Sequence, residues 1–505
     1  MKKFTILSIG LLITFKLIGQ EIDLIALSKK ISAENIKQDV YKLASENMNG
    51  RETGEEGQKL AAAYIFKQFR DAGISSYQLK NDSLSYFQEF LIYKKKAPII
   101  NLLANGFEFK AYEDFTLSGY NNFKRDNIEL EFLGAAHDSI YQNKDFSNKA
   151  VLFLTRNLYA APVKASDIIR KTNSKIVFYC NPINPNQIQT IIRHNKSILN
   201  HRTMLDPYQF PSQNPFDSIS HKEMYYDFQR TRKTYQGSIS EKAVAKILEL
   251  RLKDLKKYIS ENSSLWPNKR EITLDLEFEN TYDSKPSENV IACIPGTEKK
   301  EEYIVITAHY DHLGRRGNKV FYGANDNASG TAALIEIAKA IKDAVDNGLQ
   351  LKRSIIFAAL SGEEKGLLGS KYFVEKQTFP HTNIKANLNI DMLGRRDINH
   401  KNHNFIYLIG ASDLNPKLKT IGDSLNHLYP NLELDYSYDT KDNFLYSASD
   451  QASFVKKNIP SIFYFNGLND DYHRTTDTPD KLDYQSVRKV SGLIFLTAIE
   501  LANQK

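Results

Sequence analysis

An α/β fold, a mostly parallel twisted sheet with helices on both faces, is predicted for the second half of this 505-residue chain, with a smaller β-rich domain inserted ahead of it. Three observations predict it. The run Ile304-Val305-Ile306-Thr307-Ala308 is apolar on both faces, which suits a central parallel strand covered on either side. Beyond Lys269, strand-like runs alternate with segments of helical periodicity, the connection that parallel strands require. Ahead of that region, between about Ala97 and Ser260, short strand-like runs alternate instead with polar turns, a texture of smaller β units.

In chain order, Lys2 and Lys3 precede an uncharged apolar segment from Phe4 to Phe15, and Gly19 stands before Glu21. That order reads as a secretory signal over residues 1–19, too short to span a bilayer, and implies export to the periplasm or the medium. No Cys follows the apolar run to accept a lipid, and no later stretch is long and apolar enough to cross a membrane. Residues 20–97 begin the main domain: Ile36–Leu43 and Leu60–Phe69 have helical spacing, and Gly50, Gly54 and Gly57 mark a turn-rich link between them. Arg51 in that link reads as a structural loop charge paired with its acidic neighbours.

Residues 98–262 are assigned to the insertion, with strand-like runs at Ile128–Leu133, Ala150–Thr155 and Lys175–Tyr179 and a loop-like stretch from Asn195 to Arg232. It holds no dense group of His, Cys or carboxylates at ligand spacing. Residues 263–505 resume the main domain. Strands are expected at Glu271–Phe278, Asn289–Ile294, Tyr303–Ala308, Ser354–Leu360, Lys385–Ile390, Phe405–Ile409 and Ser461–Phe465. Helices are expected at Ala328–Val345, Leu367–Lys376, Leu414–Leu428 and Tyr484–Ala502.

Composition excludes some classes. The formal charge of +7 falls by three once Lys2, Lys3 and Lys16 leave with the signal, so no nucleic-acid partner is indicated. The two cysteines, Cys180 and Cys293, form no CxxC pair, and two separately buried thiols are favoured over a disulfide.

Open α/β sheets bind ligands outside the carboxyl ends of their strands. Four of the expected strands end there in groups suited to metal. Tyr303–Ala308 leads to His309 and Asp311, whose side chains share a direction in extended backbone. Ser354–Leu360 leads to Glu363 and Glu364, Lys385–Ile390 to Asp391, and Ser461–Phe465 through Asn466-Gly467 to Tyr472-His473. Asp326 adds a carboxylate just before a helix, where a cap is the ordinary role. Two histidines, three carboxylates and one spare glutamate meet the needs of two divalent ions: a bridging carboxylate, N/O ligands and a base for the water between them. Glu363 and Glu364 diverge as neighbours, so one can bind metal while the other handles protons. Imidazole and carboxylate donors favour zinc, with cobalt or manganese tolerated.

These pieces resemble the co-catalytic zinc exopeptidases of metallopeptidase family 28. The matching residues are Asn289-Val290-Ile291 with Pro295-Gly296, His309-Tyr310-Asp311-His312, Gly323 to Gly330, Ser361 to Gly366, Asp391 to Arg395, and Tyr472-His473 with Asp477-Thr478-Pro479-Asp480. Asn49–Ile74 is similar to the family's amino-terminal segment, and the insertion resembles a protease-associated domain. The resemblance implies that Asp326 bridges two zinc ions, that His309 and Asp391 complete one, and that Glu364 and His473 complete the other. It further implies Glu363 as general base, Asp311 as the carboxylate that orients His309, and aminopeptidase action on peptides. The family often has Ser-Asp-His where this chain has Ser449-Asp450-Gln451, which leaves side-chain preference open.

Three alternatives share the scaffold: a single-zinc glutaminyl cyclase, a carboxypeptidase-type exopeptidase, and a binding protein without catalysis. Asn327 to Gly330 and Tyr472, where cyclases tend to carry Trp, speak against the first, and the complete ligand set against the last. His312, His381, His400, His403 and His427 are set outside the site as loop histidines, and Tyr464 and Tyr472 are assigned to packing. Oligomeric state is left open.

Overall fold

The computed structural model describes residues 14–17, 20–78, 84–119, 121–191, 203–205, 234–263, 270–376 and 379–504. The segment expected to be a secretory signal lies outside the described residues except for 14–17, as does most of the loop-like stretch 195–232. Two compact units are present, one formed by residues 1–92 and 285–505 and the other by 93–284.

The first unit is built on a mixed sheet. Its strands include β1 (Phe87–Lys95), β2 (Tyr282–Ile294), β3 (Lys299–His309), β4 (Arg353–Leu360), β5 (Ile384–Ile390), β6 (Phe405–Ile409), β7 (Glu433–Asp435) and β8 (Ser461–Phe465). These lie in the order β1-β2-β4-β3-β5-β8-β6-β7. At the centre β4, β3, β5 and β8 run parallel, while β2 and β6 are antiparallel to their neighbours β4 and β8. The parallel strands therefore present their carboxyl ends along one edge, where the predicted ligands sit.

Helices cover both faces: α1 (Ala33–Leu43), α2 (Glu56–Asp71), α3 (Gly330–Asp346), α4 (Leu368–Glu375), α5 (Lys417–Leu428) and α6 (Tyr484–Asn503). The apolar run of β3 divides between two cores. Ile304, Ile306 and Ala308 pack with Ile36 and Val40 of α1, Ile65 and Phe69 of α2, Leu334 and Ile341 of α3 and Leu493 of α6. Tyr303 and Val305 face the other way, with Phe373 and Val374 of α4 and Phe454. Each such buried aliphatic side chain contributes about 1.5–3 kcal/mol relative to an exposed one. A polar residue at either position in the middle of β3 would unseat one whole layer.

The second unit holds a seven-stranded sheet in the order 235–238, 176–180, 149–154, 123–132, 273–279, 99–104, 107–110. Its first four strands are parallel and its last four antiparallel. Two expectations are corrected here. The strand expected at Glu271–Phe278 is Thr273–Glu279, and it pairs inside this sheet, not in the sheet of the first unit. Its pattern explains why: Leu274, Leu276 and Phe278 are buried while Thr273 and Glu279 are exposed, the alternation of a one-sided sheet. The second unit accordingly spans 93–284 where 98–262 was expected. It is also less purely β than anticipated, because Ala161–Thr172 packs Ala165 and Ile168 onto Val151 and Val177, and helices Glu241–Ile247 and Leu252–Ser260 add Val244 and Leu255 to the opposite core.

Cys180 belongs to the second unit and Cys293 to the first, each a buried free thiol. No helix among the described residues is long and apolar enough to cross a membrane.

Candidate metal centre

Three short segments at the sheet's carboxyl edge are tied together before any ion is considered. The loop between β3 and α3 passes through Ala324–Ser329, where Asp326 and Asn327 leave helical geometry. The Asp477 carboxylate accepts from the Asn325 backbone N–H at 3.0 Å and from that of Asp326 at 3.1 Å. The loop then grips the segment after β5: Asn327 Oδ1 accepts from the Met392 N–H at 3.1 Å, Ser329 Oγ from Leu393 at 3.1 Å and Asn325 Oδ1 from Gly394 at 2.8 Å. Asn327 Oδ1 also accepts from the N–H of Gly330, the first residue of α3, at 3.0 Å, so Asn327 and not Asp326 bonds the start of that helix, and the Asp326 carboxylate stays free for another task.

The predicted metal residues converge. His309 Nε2 lies 3.4 Å from Asp326 Oδ1 and 3.3 Å from Asp391 Oδ1. On the other side of the same aspartate, His473 Nε2 is 3.1 Å from Asp326 Oδ2 and 3.2 Å from Glu364 Oε2. Zinc bonds to N and O of about 2.0–2.2 Å place neighbouring ligands of a tetrahedral ion roughly 3.3 Å apart, so the spacing fits. His309 Nε2, Asp391 Oδ1 and Asp326 Oδ2 are buried without a hydrogen-bond partner despite this closeness. Buried polar atoms in that state call for a further group, and donors that approach without aligning on one another suit lone pairs aimed at a shared cation.

Supporting contacts orient the donors. Ser449 Oγ donates to Asp391 Oδ2 at 2.8 Å, leaving Oδ1 turned to His309. Ser449 in turn accepts from Asn389 Nδ2 at 3.0 Å, and Asn389 Oδ1 accepts from Thr307 Oγ1 at 2.7 Å. Asp311 touches His309 chiefly through its backbone: Nδ1 is 3.2 Å from the Asp311 carbonyl and 3.7 Å from the carboxylate. That carboxylate instead accepts from Thr53 Oγ1 at 2.7 Å and from the Glu363 N–H at 3.2 Å, so it holds the base candidate as well as flanking the imidazole.

Burial raises the Glu363 carboxyl well above its ordinary range, with the charges of Glu364, Asp391 and Asp450 adding to the rise. Asp326 shows the opposite outcome: burial opposes its charge, yet contacts with His309 and His473 hold it well below the usual carboxylate range. Burial lowers the affinity of His309 for a proton, and the surrounding carboxylates reverse this and raise it well above its ordinary value. His473, stacked at 3.8 Å on Tyr472, is the most open member.

Several roles differ from expectation. Arg51 is structural, but it neither faces solvent nor pairs with acidic neighbours. It is fully buried and donates to the carbonyls of Tyr310 at 2.7 Å, Leu43 at 2.6 Å, Tyr322 at 2.8 Å and Gly323 at 2.8 Å. Burial lowers its pKa to about 10 against the field of Asp326, Asp477, Asp311 and Glu364. Gln451 is buried, accepts from Asn389 at 3.1 Å and donates to the Tyr446 carbonyl at 3.2 Å, so it braces the support of Asp391. Asp450, to which the sequence assigns no role, is buried with both oxygens unpartnered, and burial pushes its pKa up to about 7. His312 and His400 are buried, not solvated; His400 is held between Asp397 at 2.9 Å and Asp435 at 3.3 Å. Tyr464 is a core residue, as expected.

Residues 289–498 match the sequence profile described as "Peptidase family M28". A "Probable leucine aminopeptidase" of Arthroderma otae is 31% identical over 221 residues, 42% of this chain and 57% of that protein. A "Probable zinc metalloprotease" of Pyrenophora tritici-repentis is 39% identical over 111 residues, 21% of this chain and 22% of that protein. The chain thus spans less than two thirds of the length of these curated relatives. Among solved structures, the aminopeptidase from Aneurinibacillus sp. strain AM-1 superposes with a TM-score of 0.50 at 18% identity, covering 95% of this chain and 97% of that one, a likeness of fold. With His309, Asp326, Glu364, Asp391 and His473 all inside the matched region, this chain carries a peptidase family M28 domain.

Proposed function

We propose that this protein is an exported zinc-dependent aminopeptidase holding two ions, with peptides as substrates. The convergence of His309 and Asp391 on one side of Asp326, and of His473 and Glu364 on the other, carries this reading. In it, Asp326 with His309 and Asp391 would hold one ion, and Asp326 with His473 and Glu364 would hold the other. Export rests on the charged start, the apolar run Phe4–Phe15 and Gly19.

Bound zinc supplies Lewis acidity and a water of lowered pKa. The chain's own residues do the rest. Glu363, its backbone fixed by Asp311, takes the proton from the attacking water and returns it to the leaving amine. Ser449 and the Asp311 carbonyl keep Asp391 and His309 in position, and Tyr472 lines the open side beside His473.

The test is hydrolysis of amino-acid anilides and of peptides with free or blocked N-termini, with metal content measured on the same sample. Cleavage that requires a free amine, at two zinc ions per chain, is the expected result. Release from the carboxyl end, or cyclisation of N-terminal glutamine without hydrolysis, overturns it. Export is checked by sequencing the N-terminus of the protein recovered outside the cytoplasm.

A further inference from the structure

His312 stands apart from the five residues so far assigned to metal. It is fully buried, and neither ring nitrogen has a hydrogen-bond partner. Its Nδ1 lies 2.7 Å from Glu364 Oε1 and 3.8 Å from Asp326 Oδ2, and both of those oxygens are themselves buried and unpartnered. The three atoms lie within 4.8 Å of one another. Atoms so close that still fail to hydrogen-bond are misaligned for each other, and that is the arrangement of lone pairs directed at one cation. The orphaned atoms around His309 and Asp391 show the same signature.

The ring is also seated from behind. Gly323 has φ +56°, and a Cβ there would come within 2.5 Å of His312 Cγ and Cδ2. The His312 backbone N–H donates to the Arg51 carbonyl at 3.1 Å, while the Arg51 guanidinium holds the carbonyls of Tyr310 and Gly323. A glycine that clears space for the ring and a buried arginine that fixes both flanking segments leave the imidazole one direction to face. The His473 ring meets it edge-on, 5.9 Å away between centroids.

We propose that His312, through Nδ1, is a further ligand of the ion held by Asp326, Glu364 and His473. This rests on the two-ion reading above and deepens it. One ion then has four protein donors, the number of a closed site, while the ion at His309, Asp326 and Asp391 has three and keeps open positions. The first is the tighter and more nearly structural of the two; the second is the one that exchanges water and substrate.

Metal-free full-length protein, titrated with Co²⁺ and followed by calorimetry and visible absorption, tests this. The unaltered protein is expected to bind two ions in two steps. His312→Ala weakens the tighter step by more than the roughly 10–100-fold typical of losing a residue that only supports a ligand. It also alters that step's visible band and leaves the other step unchanged. His312→Gln, closer in size, gives the same pattern if alanine unsettles the fold. As a measurement needing no variant, zinc-edge X-ray absorption of protein loaded with one equivalent is expected to count two imidazoles on the ion. One imidazole, or an unchanged band for the tighter step in the variants, overturns the assignment while leaving the two-ion reading standing. Uptake of a single ion by the unaltered protein instead overturns that reading, and the assignment with it.

Discussion

Two buried acids in the first unit, Asp326 and Asp39, meet the same desolvation and reach opposite ends. Asp326 faces His309 and His473 and is held as an anion far below its ordinary range. Asp39, on α1, accepts from the Tyr64 hydroxyl, has one oxygen without a partner and sits near Glu336 as well as Lys339. Burial, only partly offset by Tyr64 and Lys339, takes it from 3.8 to about 6. Burial by itself works against charge; the number and sign of the partners decide whether a carboxylate is a ligand or a liability. At the sheet edge the end of β3 and the segment after β8 supply imidazole partners for Asp326, whereas Tyr64 of α2 offers Asp39 only a phenol.

The largest effect follows from removing the shared anion. Asp326→Asn should abolish hydrolysis and reduce metal uptake at both positions, by on the order of 10³-fold or more, beyond the range for residues that only support a ligand. Retention of either ion at normal affinity in equilibrium dialysis would break the contrast, since Asp326 would then serve only its neighbours. Next comes Glu363→Gln. It should keep the metal content of the unaltered protein and lose about 10²–10⁴ in kcat, the usual contribution of a positioned proton-transfer group. Near-normal turnover would remove Glu363 from the chemistry.

Ser449→Ala sharpens the comparison from the support side. Without the hydroxyl on Asp391 Oδ2, metal affinity at His309 and Asp391 should fall about 10–100-fold, with the fold intact by circular dichroism. An unchanged binding isotherm would show that packing alone orients Asp391.

Asp39→Asn addresses the other member of the pair and should leave hydrolysis untouched. A carboxyl whose folded pKa is raised binds protons more strongly in the native state, so its contribution is present at low pH and lost as pH climbs through the window from 3.8 to about 6. A rise of that size corresponds to about 3 kcal/mol at most. The variant should therefore gain up to that much stability at pH 7 and lose part of the slope between about pH 4 and pH 6 in urea melts. A stability profile parallel to that of the unaltered protein would refute the assigned environment.

Much of this was legible beforehand because period and position carry it. Ile304–Ala308 is apolar at every step but Thr307, and the structure sends alternate residues into two cores. His309, Asp391 and the two glutamates announce themselves by standing where such runs stop. Other features had no local mark. Arg51 is surrounded in sequence by Glu52, Glu55 and Glu56, which suggest a solvated cluster, while its acceptors are carbonyls up to 272 residues away. His312 follows Asp311 directly, and extended backbone would point it away from the site. The strand ends at His309, however, and the chain beyond leaves the ladder, with His312 forming an isolated bridge to Glu52. Thr273–Glu279 was legible and misassigned: its alternation of Leu and Phe with acids differs from the unbroken apolar runs of the parallel strands.

Arg51 carries one more implication. A fragment starting near residue 285 would contain each side chain assigned to metal and the whole stretch by which the family is recognised, yet it would lack the guanidinium that joins Tyr310, Tyr322 and Gly323, and Thr53, which anchors Asp311. Where a recognisable motif begins is therefore a poor guide to the smallest piece that works. A protease nick between Met48 and Glu56 should silence the molecule as surely as damage at the sheet's edge.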